Sequence, residues 1–374
     1  MYPRPLSHDA IGGPLTPVRA GRTTHGFSAA PRKWNSWGIQ INLLTTPSSP
    51  AFLSPLTNQS FIIKQCNVLA DADILAAGYN LCSLDGSWYS SVTDDHGRIT
   101  YNKTRFDLPA LGKHLHSRSL KLGLYNMPNI PCEAANKAIL GTNVTDRYDL
   151  CYFNYCNPNT QLYHNSMIDL WASWGTDMIK LEYITPGSIV QDFATPPDTS
   201  GAAIAYHRAI LNSGRQIRLD LSSNICRNNP YLDIWDSTSD SIHLAVDINN
   251  QHSRSFVGMW KIQGTIEQCR QYINQLVHEQ RTMTARPDLD NLFIANPASV
   301  SKINDPHPTP HRYEPLDRRR RKPHLRLGSN HPRRSGPSDP HLSRRTSRRR
   351  LLRSVPMQPR NPGSGGNQAR QLQT

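Results

Sequence analysis

The chain has 374 residues, 37 % of them hydrophobic and 19 % charged, and a formal net charge of +14. That length supports one large α/β domain or two ordinary ones, and no run is long and apolar enough to make a membrane-spanning helix. The charge sits at one end. From Asp305 to Thr374 there are 17 Lys and Arg against 4 Asp and Glu, while the first 304 residues hold 25 against 24.

In chain order, the opening MYPRPLSHDAIGGPLTPVRAG lacks the continuous apolar core of a signal peptide, and residues 1–30 are expected to form an unstructured segment. From residue 60 to 225 one grammar recurs: an amphipathic helix, a small-residue break, then a short apolar strand ending in polar residues. FIIKQCNVLADADILAAGYNLCSLDGSW predicts a helix with Ile62, Cys66 and Leu69 on one face, a break at Gly78 and a strand over 79–85. LGKHLHSRSLKLGLYNMP predicts a strand over 120–126. SMIDLWASWGTDMIKLEYITPGS places Gly175 before a strand over 177–183, and AIAYHRAILNSGRQIRLDLSS places Gly214 before a strand over 216–221. Helices alternating with short apolar strands imply a parallel sheet. Four such units fit an α/β fold of either the (β/α)8 barrel or the open doubly wound type. No GxGxxG or GxxxxGKS/T follows a strand, which favours the barrel.

In a barrel the chemistry gathers at the C-terminal strand ends. The residues there are Asp85, Tyr125, Lys180 and Glu182, Asp220 and Ser222, followed by Asp247, Asp288 and Asp290. Several carboxylates with aromatic side chains and a lysine suit sugar chemistry, two carboxylates acting as nucleophile and acid/base. Taken singly, Asp85 or Tyr125 is more often a strand-end hydrogen-bonding residue. The seven cysteines form no CxxC pair and no Cys/His zinc spacing, so no metal is expected. Cys66–Cys82 and Cys151–Cys156 are candidate bridges, the alternative being that several are buried free thiols. Asn58, Asn102 and Asn143 each open a glycosylation sequon, which points towards secretion.

Six motifs, in order, resemble those of the glycoside hydrolase family 27 α-galactosidases, most of all a secreted fungal group. KWNSWG (33–38) resembles the family's opening GWNSW, and AAGYNLCSLDGSW (76–88) its galactose-binding Asp strand. HSRSLKLGLYNMP (116–128) and WGTDMIKLEYITPGS (174–188) resemble the next two strands, the second of which carries the nucleophile. DSIHLAVDINN (240–250) resembles the stretch with an Arg and, four residues on, the acid/base; RPDLDNLFIANP (286–297) resembles the segment that follows. The resemblance implies a TIM barrel, retaining hydrolysis of terminal α-linked galactose from oligosaccharides without cofactor, and a secreted protein. It implies Glu182 as nucleophile, Asp247 as acid/base, and substrate contacts from Trp37, Asp85, Tyr125, Lys180, His243 and Asp290. Retention implies carboxyl groups about 5–5.5 Å apart. Lys180, two residues from Glu182 on a strand, faces the same side and favours its ionised form.

This chain departs from the family at two of these positions. Glu182 stands where the family has Asp, one methylene longer, and a reacting group misplaced by about an ångström costs about 10²-fold. His243 stands where the family has Arg, exchanging a bidentate charged fork for a shorter ring. Impaired activity is therefore expected, with a sugar-binding relative that does not turn over as the alternative. The resemblance stops near Pro306. Read one base out of frame, residues 313–324 permit MNHWIGAGANLI, which is like fungal family sequence, so the arginine run is expected to be frame-shifted coding sequence. The expected organisation is a (β/α) barrel over 31–304, incomplete at its C-terminal end, and a disordered basic tail over 305–374. The remaining alternative, nucleic-acid binding through that tail, rests on its charge alone. No membrane partner is expected, and these residues do not set an oligomeric state.

Overall fold

The computed structural model describes residues 17–37, 57–134, 136–145, 148–149, 151–188, 195–248 and 259–290. The expected tail over 305–374 lies outside them, as do residues 1–16.

The recurring grammar becomes consecutive βα units. β1 (Arg32–Asn35) leads through α1 (Gln59–Cys66), a 3-10 turn (Asn67–Ala70) and α2 (Ala72–Ala76) to β2 (Tyr79–Leu84). Next come α3 (Leu108–His116) and β3 (Lys121–Asn126). A small antiparallel hairpin, β4 (Tyr148–Asp149) and β5 (Tyr152–Phe153), precedes α4 (Pro158–Ser173) and β6 (Thr176–Leu181). Then α5 (Ser200–Asn212) leads to β7 (Arg218–Leu221), α6 (Tyr231–Thr238) to β8 (Ser241–His243) and α7 (Met259–His278) to β9 (Arg286–Asp288). The order β1-β2-β3-β6-β7-β8-β9 is parallel throughout. Lys33 of β1 forms ion pairs with Asp220 of β7 at 2.7 Å and Asp288 of β9 at 2.5 Å. Strands far apart in the order thus meet across an interior, and the sheet is a curled, incomplete (β/α)8 barrel. The position of an eighth unit, after Asp290, lies outside the described residues.

Strand side chains alternate faces, and here the two faces differ in chemistry. Cys82, Leu84, Leu122, Leu124, Ile179, Leu181, Leu219, Leu221 and Ile242 face the helices and join Leu111, Leu115, Trp171, Tyr206 and Trp235 in one apolar core. Burying a side chain of this kind contributes about 1.5–3 kcal/mol, and this layer holds the barrel together. The other face is polar: Ser83, Lys180, Asp220, His243 and Arg286 are among its members. Polar groups kept from water must be partnered, so this face dictates an ion-pair network in the lumen.

Local signals place the helices. Asn58, Asp107 and Asn157 cap their helices, accepting from the N–H groups of Phe61, Ala110 and Asn159. The three small-residue breaks all take positive φ, Gly78 at 84°, Gly175 at 86° and Gly214 at 66°, the left-handed turn that glycine makes without strain. The predicted single helix from residue 61 is corrected. It ends at Cys66, and Asp71 captures the Asp73 N–H at 3.0 Å and starts a second helix. Ile62 and Cys66 are fully buried as expected, and Leu69 packs against the core from the 3-10 turn.

Two further expectations are corrected. The unstructured segment expected over 1–30 does not include residues 17–30, which strap the N-terminal strand ends. Met283 and residues 19–21 exchange backbone hydrogen bonds of 2.8 and 3.1 Å. Thr23 and His25 bond to the buried Asp240, and the Arg218 guanidinium stacks over the Phe27 ring at 4.0 Å. The physical reason is the charge buried at this end of the lumen: Arg218, Asp240 and Arg286 need partners, and the strap supplies them. Of the two candidate disulfides, Cys66–Cys82 is present, while Cys151 pairs with Cys132 and leaves Cys156 exposed and free. The β4–β5 hairpin brings Cys151 to the Cys132 turn, with Ile130 N–H donating to Cys151 O at 3.3 Å.

Candidate active site

The C-terminal strand ends carry the polar face to the mouth of the lumen. Asp85 follows β2, Tyr125 is next to last in β3, Lys180 is next to last in β6 with Glu182 just after that strand, Ser222 follows β7 and His243 ends β8. Asp247 and Asp290 follow β8 and β9 by four and two residues. Parallel register aligns them, with Tyr125 opposite Lys180 and Lys180 opposite Asp220.

Lys180 stands at the centre. Its Nζ lies 2.6 Å from Glu182 Oε2, 3.6 Å from Asp85 Oδ2 and 5.8 Å above the Tyr125 ring. Burial alone would strip its proton, but Glu182, Asp85 and Asp247 together hold it well above its ordinary value. Burial would likewise raise Glu182; Lys180, His243 and a hydrogen bond from Ser222 Oγ at 2.7 Å outweigh it and keep this carboxylate below its ordinary value. Asp85 is raised by burial and by Glu182 against the pull of Lys180, while Gly86 N–H donates to its Oδ1 at 2.9 Å.

Asp247 has the opposite environment. Burial, then the charges of Asp290 and Glu182, push it up to about 6. Its side chain is 37 % exposed, so protein crowds the carboxyl group while solvent still reaches it through the open side. His243 Nδ1 lies 3.9 Å from Asp247 Oδ1 and 3.1 Å from Ser222 Oγ. The ring is raised, since Asp290, Asp247 and Asp288 outweigh its burial. Asp290 sits at a left-handed φ of 69° and accepts the Ile248 N–H at 2.7 Å, which fixes the turn after Asp247.

Seven of the eight expected site residues are therefore joined by contacts or by charge. The eighth, Trp37, reaches the same level through its backbone: its N–H donates to Asn35 Oδ1 at 2.7 Å, and Ser36 Oγ accepts from Asp85 N–H at 2.8 Å. Asp220 and Asp288 lie a layer lower, held by Lys33, which the sequence reading did not single out. Tyr183, between Glu182 and the solvent-facing hollow lined by Met127, Asn129 and Tyr152, was also missed. The surrounding Glu182, Asp247 and Asp85 charges, added to burial, push its phenol up to about 12. His243, Asp247 and Asp290 bring one donor atom each to within 4.8 Å of one another. His243 also faces Ser222 Oγ, and Asp290 accepts the Ile248 N–H.

The family model described as alpha galactosidase A matches residues 54–259, more than half of the chain. The chain belongs to the α-galactosidase family. It is 43 % identical over 376 aligned residues to alpha-galactosidase 8 of Emericella nidulans, covering 94 % of this chain and 72 % of that one. It is 38 % identical over 393 residues to alpha-galactosidase 3 of Hypocrea jecorina, covering 100 % of this chain and 61 % of the relative. Both alignments take in more than the first 304 residues can supply, so the similarity does not end near Pro306 as expected. Among solved structures, a family 27 β-L-arabinopyranosidase from Geobacillus stearothermophilus shares the fold, with a TM-score of 0.53 and 20 % identity over 70 % of this chain and 61 % of that one. The chain thus spans less than two thirds of the Hypocrea relative and of this structure.

Proposed function

We propose that this member of the family is a retaining glycosidase that releases terminal α-linked galactose from oligosaccharides, with Glu182 as nucleophile and Asp247 as acid/base. One observation carries the reading. Two carboxyl groups at one mouth are driven to opposite states, Glu182 ionised beside Lys180 and Asp247 protonated up to about pH 6. That division is what double displacement requires. Glu182 attacks the anomeric carbon while Asp247 protonates the departing oxygen; Asp247, now a base, then draws a proton from the water that releases the sugar. Asp85 and Lys180 would hold the galactose hydroxyls, and Trp37 and Tyr125 would flank the ring.

Two disulfides fit an oxidising compartment, and the Asn143 sequon is exposed. Both support a secreted glycoprotein.

A second reading, a sugar-binding relative without turnover, is favoured by Glu182 and His243 standing where the family has Asp and Arg. Hydrolysis of an aryl α-galactoside, measured for the wild type, Glu182→Gln and Glu182→Asp, separates the two. A hydrolase turns over as it stands and loses activity in Glu182→Gln. A binding protein takes up galactose without turnover and gains activity only in Glu182→Asp.

A further inference from the structure

Ser222 touches both halves of the site. It is fully buried, with Glu182 Oε1 on one side of its hydroxyl at 2.7 Å and His243 Nδ1 on the other at 3.1 Å. A hydroxyl has one proton to give. Glu182, ionised beside Lys180, can only accept, so the hydroxyl proton is committed to Oε1 and an oxygen lone pair faces the ring. Nδ1 must then carry a hydrogen, in the neutral ring as in the charged one. The proton that comes and goes belongs to Nε2, which is buried and has no hydrogen-bond partner among the described residues.

The carboxylate is constrained by the same bond. Lys180 holds Oε2 at 2.6 Å and Ser222 holds Oε1, so the longer Glu side chain, with its additional torsion, is tied at both oxygens. We propose that Ser222 is a positioning residue that joins the nucleophile to His243, its one hydroxyl fixing the direction of the Glu182 carboxylate and the tautomer of the imidazole together. The role of Glu182 in this statement rests on the function proposed above; the tautomer does not.

The groups facing this relay are Lys180, Asp85, Asp247 and Tyr125 around Glu182, with Tyr183 beside it, and Asp247, Asp288, Asp290 and Lys180 around His243.

The test is long-range ¹H–¹⁵N NMR of histidine-labelled full-length protein, with pH–rate profiles of wild type, Ser222→Ala and Ser222→Thr on an aryl α-galactoside. At pH 8 the wild-type His243 is expected as the Nδ1–H tautomer and Ser222→Ala as a mixture. The acid limb of kcat/KM is expected to rise by about one pH unit in Ser222→Ala, the scale of one lost charge-assisted hydrogen bond, and to return in Ser222→Thr. A wild-type Nε2–H tautomer overturns the proposal whether or not the protein hydrolyses anything. So does an acid limb that Ser222→Ala leaves in place. A protein that shows the Nδ1–H tautomer but no hydrolysis retains the relay and refutes the hydrolase reading alone.

Discussion

Asp247 and Glu182 are both carboxylic acids at the same mouth, and only their neighbours assign them different work. The pH dependence follows from the signs. Glu182 is depressed, so the ionised form that the proposed nucleophile needs is lost only as pH falls below the ordinary glutamate range. Asp247 is raised to about 6, so the acid is lost as pH rises through about 6. Turnover is expected to follow a bell with its alkaline limb near that value. Asp290 is the largest like charge acting on Asp247. Asp290→Asn should therefore move the alkaline limb to lower pH, and an unchanged limb would show that burial and Glu182 set it without Asp290. At this scale the motifs drew attention to Glu182, Asp247, Lys180 and Asp85, since each lies at or just after a strand end in a recognisable stretch. Lys33 was not legible. Its partners lie 187 and 255 residues away in sequence, and only curling of the sheet brings them together.

At the scale of elements, the break-and-strand grammar located β2, β3, β6 and β7 to within two residues at either end. It failed where side chains compete for the backbone, as at Asp71, and where a covalent partner comes from a turn, as at Cys132. On α4, His164 was not singled out at all. It is fully buried among Phe153, Tyr163 and Tyr206, with Nδ1 2.7 Å from Thr160 O. Burial lowers its pKa to about 4, so the unfolded chain binds this proton first. Stability present above about pH 6.5 should be lost as pH falls from there to about 4. Tm measured over that range should fall in the wild type and fall less steeply in His164→Gln. Parallel slopes would show that other groups govern the acid transition.

For the whole molecule, the polar lumen divides into two ends. The C-terminal end leaves Asp247 partly exposed above the buried Asp85 and Glu182, while the strap closes the N-terminal end over Asp240, Arg218 and Arg286. Composition could not reveal the strap, because residues 17–30 look like loop and gain their order from partners that only the folded barrel supplies, its buried charges and the Met283 backbone. His25 lies 2.7 Å from the fully buried Asp240. His25→Ala is expected to lower the unfolding free energy by about 1.5–3 kcal/mol, the range for a hydrogen bond to a charged group. Urea denaturation reads this directly, and a change below about 0.5 kcal/mol would mean that the strap is not coupled to the barrel. The central claim is that the barrel directs Glu182 at the anomeric carbon. Incubation with an activated 2-deoxy-2-fluoro-α-galactosyl substrate, followed by peptide mass mapping, tests it most directly. A single glycosyl adduct on Glu182 is the predicted result; an adduct on another residue, or hydrolysis that inverts the anomeric centre with no adduct, would contradict it.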